Sequence, residues 1–253
     1  KDRLLKWLEE NNYKIEIKNQ KTALDEIDRH IVFCHGMKDQ LIESYHADGE
    51  KISICYPGCS FDQVDMPDER EAHSGLRLLY VGRISPEKNL GMLLDALDNL
   101  NEDISLTIVG DGSGMDELIA RAKEFPENIK VQFVGRKQNP IPYYLESDCF
   151  VFPSKYESFG QVIIEAFTFG LPVIGFATIP GETSTAIEEL VQDGHTGLVC
   201  RNFSRDELRR CILEMYKWNA DPEKMNRIRR ECFNYANTHC SWDNLAAVCL
   251  DMR

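Results

Sequence analysis

The chain has 253 residues, of which 43% are hydrophobic and 28% charged, a composition typical of a globular protein with a sizeable core. Its 42 acidic residues outnumber its 29 basic ones, for a net charge of -13. This balance disfavours a nucleic-acid partner, which needs a basic face, but leaves room for a phosphate-bearing small ligand. The nine cysteines form no C-x-x-C pair, so we predict reduced thiols in a cytoplasmic protein and no disulfide scaffold.

The first 56 residues predict part of an α/β domain. They contain a helical pattern over 2–11, a strand at YKIEI, a further helix, a strand at HIVFC, a helix over 37–46 and a strand at KISIC. The opening residues are too charged for a signal peptide, and the missing start methionine suggests a fragment. The segment YPGCSFDQVDMPDEREAHSG, rich in proline and charge, then predicts a linker.

From Gly75 onward, short β-branched runs alternate with amphipathic stretches. The predicted strands cover 76–81, 105–109, 130–134, 149–152, 172–176 and 197–200. The helical patterns lie near 89–100, 114–124, 141–147, 160–169 and 182–192, and then over 204–218, 222–237 and 241–251. This alternation predicts βαβ units and a parallel sheet with both faces covered. The apolar stretch from Val162 to Pro180 approaches bilayer length, but we split it into a buried helix and a buried strand and predict no transmembrane segment.

The loops that follow the first two of these strands suit phosphate groups. Gly82, Arg83 and Lys88 follow the strand at 76–81, and two cations beside a glycine would suit a diphosphate. The alternative is a pair of ordinary surface cations. The second loop, GDGSG, begins with Gly110, Asp111 and Gly112, where the chain would approach a ligand closely or form a plain βα turn. It matches neither the dinucleotide fingerprint nor a Walker A loop.

We predict that two further loops contact the base and the sugar of a ligand. Arg136 and Lys137 in GRKQNP lie where the backbone would read a nucleobase, and the alternative is a solvated basic turn. In PSKYESFG, a helix is expected to begin near Ser158, Phe159 and Gly160, so that its N–H groups and positive dipole end would face an anion or a sugar hydroxyl.

Glu157 and Glu165 raise a question of their own, because Glu165 lies inside the apolar run VIIEAFTFGLPVIGF. A carboxylate there is costly unless something pairs with it. Either Glu165 lines a cleft and accepts hydrogen bonds from two ribose hydroxyls, or it pairs with a nearby cation or backbone N–H. The later loop ATIPGETSTAIEELVQDGHTG would contact a sugar or simply begin a helix capped by Thr183 or Ser184.

Taken in order, these segments resemble family 4 of the GT-B retaining glycosyltransferases. The matching pieces are LLYVGRISPEKNLGMLLDAL, LTIVGDGSGMDEL, VQFVGRKQ, CFVFPSKYESFGQVIIEAFTFGLPVIG and ELVQDGHTGLV. The resemblance is strong over 76–251 and weaker over 28–60. It implies a GT-B type fold with Rossmann-like, doubly wound parallel sheets. Residues 1–70 would be a remnant of the N-terminal acceptor-side domain plus a linker, and 71–253 the donor-binding domain, whose last helix, 241–251, packs back toward the N-terminal domain.

The resemblance also implies roles for single residues. Arg83 and Lys88 would stabilise the diphosphate as a leaving group, and Glu157 would meet the donor sugar, so that these three would be catalytic. Glu165 would bind the ribose. The implied donor-binding set is Gly82, Arg83, Lys88, Gly110, Asp111, Gly112, Arg136, Lys137, Ser158, Phe159, Gly160 and Glu165. The Gly-rich loop and the histidine that the family's first domain usually supplies are not visible in this chain.

The activity implied is that of a retaining, metal-independent hexosyltransferase without a cofactor. It would transfer a sugar from a UDP- or GDP-sugar to a glycan, lipid or protein acceptor, as in polysaccharide biosynthesis. It would act in the cytoplasm or at the cytoplasmic face of a membrane, with any membrane contact made by the missing domain. The alternatives are a donor-binding subunit that is inactive without a partner chain, a sugar-nucleotide epimerase and a non-catalytic nucleotide-binding module.

Overall fold

The computed structural model describes residues 26–59, 61, 64–66, 68–71 and 73–251. The helix predicted over 2–11, the strand YKIEI and most of the helix after it lie outside these residues. The chain divides into two compact units, Lys1–Tyr56 with Asn244–Arg253, and Pro57–Asp243. Seven of the nine cysteines are buried.

The described part of the first unit contains a βαβ arrangement. Strand β1 (His30–Val32) pairs in parallel with β2 (Ile52–Ile54), with His30 opposite Ile52. Between them lie helix α1 (His35–Tyr45) and a 3₁₀ turn (Gly49–Lys51). Helix α1 ends at His46, which takes the left-handed conformation, with φ of 57°. The two strands predicted here are confirmed with shorter bounds, and the helix predicted over 37–46 is confirmed with a start two residues earlier.

The second unit is built on six parallel strands: β3 (Leu76–Val81), β4 (Ile104–Val109), β5 (Ile129–Gly135), β6 (Cys149–Phe152), β7 (Val173–Phe176) and β8 (Gly197–Cys200). Their order is β5-β4-β3-β6-β7-β8, and every pairing is parallel. Because β6 adds on the other side of β3 from β4, the order reverses between β3 and β6. In sheets of this kind, ligands bind at the carboxyl ends of the strands beside such a reversal.

The helices of this unit are α2 (Leu90–Leu97), α3 (Met115–Ala122), α4 (Ile141–Glu146), α5 (Gln161–Thr168), α6 (Ile187–Leu190), α7 (Arg205–Asn219) and α8 (Pro222–His239). The last helix, α9 (Trp242–Asp251), belongs to the first unit from Asn244 onward. Helix α2 packs on α7, and α5 packs on α8. Every residue of β6, β7 and β8 is buried, as expected of parallel strands that are covered on both faces. In the part of the chain that the structure describes, no helix is long and apolar enough to cross a membrane.

The helix predicted over 182–192 is the main correction. Only Ile187–Leu190 is helical, and it begins after Ala186 with no side-chain cap, so the predicted caps Thr183 and Ser184 are wrong. Thr183 is buried and donates its hydroxyl to the Ala177 carbonyl at 2.6 Å. Threonine and serine offer the backbone such local alternatives to a helix, and here that alternative wins.

Candidate functional site

The loops at the carboxyl ends of β3, β4 and β5 bond directly to one another. The Gly82 N–H donates to the Val109 carbonyl at 3.0 Å, and the Ile84 N–H donates to the Asp111 carbonyl at 2.7 Å. On the other side, the Gly110 N–H donates to the carbonyl of Gly135 at 3.0 Å. The strand ladders therefore continue into the loops and fix the loop backbones.

The glycines of the second loop are explained first by this loop-on-loop packing. A Cβ on Gly110 would lie 1.8 Å from the carbonyl oxygen of Gly82, and one on Gly112 would lie 2.0 Å from that of Ile84. Real Cβ atoms do not come so close to an oxygen, so the first loop could not approach the second if either residue had a side chain. The glycines are therefore needed because the backbone of the first loop packs directly against them. Their predicted contact with a ligand stays a prediction.

A cleft of about 360 Å³ opens beside these loops. It is lined by Val81, Gly82, Arg83, Val109, Gly110, Asp111, Arg136, Lys137 and Pro140. Six of the predicted donor-site residues thus share one cleft, although they come from three separate loops. Its volume lies within the usual range for small-molecule sites, and its lining carries three cations against one carboxylate.

Arg83 is one of three exposed cations in this lining. Its side chain is 71% exposed, and its guanidinium lies 3.4 Å from a carboxylate oxygen of Glu87, an ion pair of little stabilising value at this exposure. Glu87 is held instead by Ser85, whose hydroxyl donates at 2.6 Å and lowers the pKa of that carboxyl. The Tyr80 hydroxyl donates to the carbonyl of Arg83 at 2.7 Å and so fixes this residue's backbone. Burial, followed by the charge of Glu157, raises the pKa of Tyr80 and keeps its phenol neutral.

Lys88 and Glu157 form an ion pair with each other. Lys88 ends a 3₁₀ turn (Pro86–Lys88) after β3, whereas Glu157 lies in the loop after β6. The two side chains are 14% and 27% exposed. A hydrogen bond of 2.8 Å from the Lys155 N–H to the Glu87 carbonyl ties the same two loops together. The residues predicted for the diphosphate and for the sugar are therefore partners of each other in this structure.

The loop after β7 forms a further wall beside Glu157. The Glu157 N–H donates to the Ser184 carbonyl, and the Ser184 N–H donates to the Lys155 carbonyl, both at 2.9 Å. Tyr156 lies between these residues with half of its surface exposed. Ser184 was predicted either to cap a helix or to contact a sugar, and the backbone pairing brings it next to Glu157. Nothing in the spacing of the sequence indicated this pairing.

Helix α5 begins where the sequence predicts. Gly160 precedes its first residue with φ of 89°, and a Cβ there would lie 2.9 Å from Ile163. The Phe159 side chain is buried, so only its backbone would be available to a ligand. Ser158 and Phe159 lie just before the helix, as expected. Contact between this helix end and an anion or a sugar stays a prediction.

Glu165 has a structural partner of a kind that the sequence did not suggest. The Tyr144 hydroxyl donates to one of its carboxylate oxygens at 2.8 Å, and Tyr144 is fully buried against Phe169, with ring centroids 5.2 Å apart. Burial, followed by the charge of Glu165, raises the pKa of Tyr144 well above its usual value, so the phenol remains a donor. Glu165 itself keeps part of its surface exposed. The hydrogen bond from the tyrosine helps to explain how this carboxylate is tolerated beside the apolar core. A role of Glu165 in binding ribose stays a prediction.

The described residues contain no group of three or more histidine, cysteine, aspartate or glutamate side chains that could hold a metal ion. Asp111 is the single carboxylate in the lining.

Comparison with known proteins identifies the family. A family model described as glycosyl transferases group 1 matches residues 62–232. A D-inositol 3-phosphate glycosyltransferase of Mycobacterium sp. (strain JLS) is 31% identical over 192 residues, which cover 70% of this chain and 44% of that protein. The chain thus spans less than half the length of this relative.

Solved structures agree on the fold. The sucrose-phosphate synthase of Thermosynechococcus elongatus aligns with a TM-score of 0.75 at 21% identity, over 94% of this chain and 61% of that one. HepE of Anabaena, solved in complex with UDP and glucose, aligns with a TM-score of 0.72 at 19% identity, over 93% and 67%. The fold is therefore of the GT-B type, with Rossmann-like parallel sheets. The chain belongs to the group 1 glycosyl transferases.

Proposed function

We propose that this chain binds a nucleoside-diphosphate sugar and provides the donor side of a retaining glycosyltransferase. The observation that carries the proposal is the cleft at the carboxyl ends of β3, β4 and β5, where Arg83, Arg136 and Lys137 meet beside fixed glycine loops. Such a site offers cations for phosphates and backbone groups for a base. UDP and GDP are the nucleotides that we expect, and the UDP bound to HepE makes UDP the first to test.

In the transfer, the bond between the anomeric carbon and the diphosphate oxygen breaks, and its electron pair stays on the diphosphate. The acceptor hydroxyl oxygen forms the new bond to that carbon, and its proton passes to an oxygen of the departing diphosphate. Arg83 and Lys88 would stabilise the negative charge that develops on the leaving group, which is the role we expect in a reaction without a metal ion or other cofactor. Glu157 would meet the sugar, and Glu165 would accept hydrogen bonds from the ribose.

The acceptor is proposed only by chemical class, as a hydroxyl of a glycan, a lipid-linked sugar or a protein. A relative from Campylobacter jejuni, 30% identical over 140 residues, is named as a transferase acting on an undecaprenol-linked diphosphosugar, and it illustrates the lipid-linked class. That match covers 55% of this chain and 38% of that protein. We place the activity in the cytoplasm, or at the cytoplasmic face of a membrane where the acceptor is lipid-linked.

Calorimetric titration with UDP, GDP, ADP and their common sugar conjugates tests the donor site. We expect saturable binding of one nucleotide family, lost in Arg83→Ala and retained in Arg205→Ala, which removes an exposed arginine at the start of α7. Absence of binding, or equal binding by Arg83→Ala, would contradict the proposed site. Binding without transfer to any acceptor would favour the alternative of a donor-binding subunit that needs a partner chain.

A further inference from the structure

A second cluster of cations lies at the opposite edge of the sheet, where β3 and β6 begin. It comprises Arg70 and His73 before β3, Arg77 within β3, Asp148 just before β6, and Arg229 in the middle of α8. In a parallel sheet the amino ends of the strands lie away from the ligand-binding edge. This cluster is therefore separate from the proposed donor site.

Asp148 is the single buried carboxylate of the cluster, and its oxygens are already used. One oxygen accepts from Arg70 at 2.8 Å and from Arg77 at 2.7 Å, with a His73 nitrogen at 3.1 Å. The other accepts from the Arg77 backbone N–H at 2.8 Å and from its side-chain Nε at 3.1 Å. Burial alone would raise the pKa of Asp148, but these bonds outweigh it and lower the pKa. The carboxylate is thus ionised and has no position left for another donor.

Arg229 shows no such bond to a carboxylate within the part of the chain that the structure describes. It is 1% exposed, and its Nε and Nη1 atoms are buried with no hydrogen-bond partner among the described residues. Burial, followed by the neighbouring charge of Arg70, lowers the pKa of Arg229 to about 10, so it remains protonated at neutral pH. A buried cation with two unused donors is costly, and such groups commonly mark a water or an ion that fills the space beside them.

That space exists and is small. A cavity of about 10 Å³ is lined by Arg70, Glu71, His73, Asp148, Asn219, Pro222, Met225, Asn226 and Arg229. It has room for about one water-sized species, so a phosphate or a nucleotide is too large. The three arginines of the cluster face one buried carboxylate, and Glu71 is exposed. A water would satisfy the hydrogen bonds of Arg229, but it would not offset the excess of positive charge.

We propose that this cavity binds one small monovalent anion of halide size, with chloride the natural ligand class, against the Nε and Nη1 atoms of Arg229. The anion would join α8 to the segment before β3, which Asn226 already holds by a pair of hydrogen bonds with the Arg70 backbone at 3.0 and 3.1 Å. Because the site exists only in the folded chain, binding stabilises the fold by mass action.

Thermal unfolding in a halide-free gluconate buffer, titrated with sodium chloride at constant ionic strength, provides the first test. We expect a saturable rise of at least about 2 °C in the unfolding temperature of the native chain. Arg229→Met should abolish this rise, whereas Arg227→Met, which removes an exposed arginine from the same helix, should retain it. An equal response to chloride in the native chain and in Arg229→Met overturns the proposal.

Crystals of the native chain grown without halide and soaked in sodium bromide provide a test that needs no variant. The expected result is an anomalous peak at the bromine edge within about 3.5 Å of the guanidinium of Arg229. Absence of a peak at this position, with a water or no density in the cavity, overturns the proposal whatever the thermal data show. This measurement also decides the question if Arg229→Met fails to fold.

Discussion

Replacing Glu157 by glutamine should tighten the binding of UDP. In the structure Glu157 holds Lys88, the cation proposed for the diphosphate, so a nucleotide must break this ion pair before it can use the lysine. Glutamine keeps the size of the side chain and removes its charge. Lys88 would then be available at no cost to the incoming phosphates.

The size of the effect follows from the geometry of the pair. Two unit charges about 3 Å apart attract each other by roughly 5–6 kcal/mol at an effective dielectric constant of about 20. Desolvation and the ordering of two side chains offset most of this attraction, which leaves about 1–2 kcal/mol for a pair that is largely buried. UDP should therefore bind about 5- to 30-fold more tightly to Glu157→Gln. Transfer of a sugar should fall, because Glu157 is also the residue proposed to meet that sugar.

Isothermal titration with UDP measures the gain, and a double-mutant cycle with Lys88→Met identifies its cause. If the gain comes from releasing Lys88, Glu157→Gln should have little effect in the Lys88→Met background. Glu127→Gln removes one charge from an exposed position and serves as the control for net charge. Weaker or unchanged UDP binding in Glu157→Gln, or a gain that persists without Lys88, would refute the reasoning.

Three further outcomes test the site. Lys88→Ala should weaken UDP binding about tenfold and leave uridine binding nearly unchanged in the same titration, because uridine lacks the diphosphate; equal losses would remove the phosphate role. Glu165→Gln should weaken UDP binding without changing the unfolding temperature, since an amide oxygen still accepts from Tyr144; a large drop in that temperature would favour a purely structural role. Gly112→Ala should lower the free energy of unfolding by about 3 kcal/mol or more, because its Cβ would lie 2.0 Å from a carbonyl oxygen. Gly135→Ala, with open space around the added atom and φ of 72°, should cost only about 1–2 kcal/mol, and equal losses in denaturant titrations would contradict the packing argument.

The strands of the second unit could be predicted because their signal is local. A run such as CFVF is apolar at every position, and the structure buries every residue of it between helices. The helix over 182–192 was wrong because apolar spacing does not register the competing hydrogen bonds, which include the local bond from Thr183 to Ala177 and a backbone pairing that is distant in sequence. Backbone bonds between Ser184 and the 155–157 segment hold this part of the chain in an extended loop. Periodicity records which face of an element is apolar and carries no information about a competing backbone partner.

The candidate site likewise contains features that the sequence predicts and features that it does not. That loops after successive parallel strands share one edge follows from topology, so the joining of Gly82, Gly110 and Arg136 around one cleft could be anticipated from their positions after predicted strands. The pairing of Lys88 with Glu157 could not, because the two residues are 69 positions apart and each was assigned to a different part of the ligand. Two opposite charges on loops that meet at one edge of the sheet bind each other here. A sequence pattern names the charges of a site but not which of them pair.

Glu165 shows how a carboxylate can be accommodated in an apolar segment and still be proposed to bind a ligand. The apolar run around it requires that the carboxylate have a donor, and the buried Tyr144 hydroxyl supplies one at 2.8 Å. A neutral tyrosine adds no positive charge beside the carboxylate, and Glu165 keeps part of its surface exposed. Each carboxylate oxygen can accept more than one hydrogen bond. The bond from Tyr144 is therefore compatible with the proposed recognition of a ribose by Glu165.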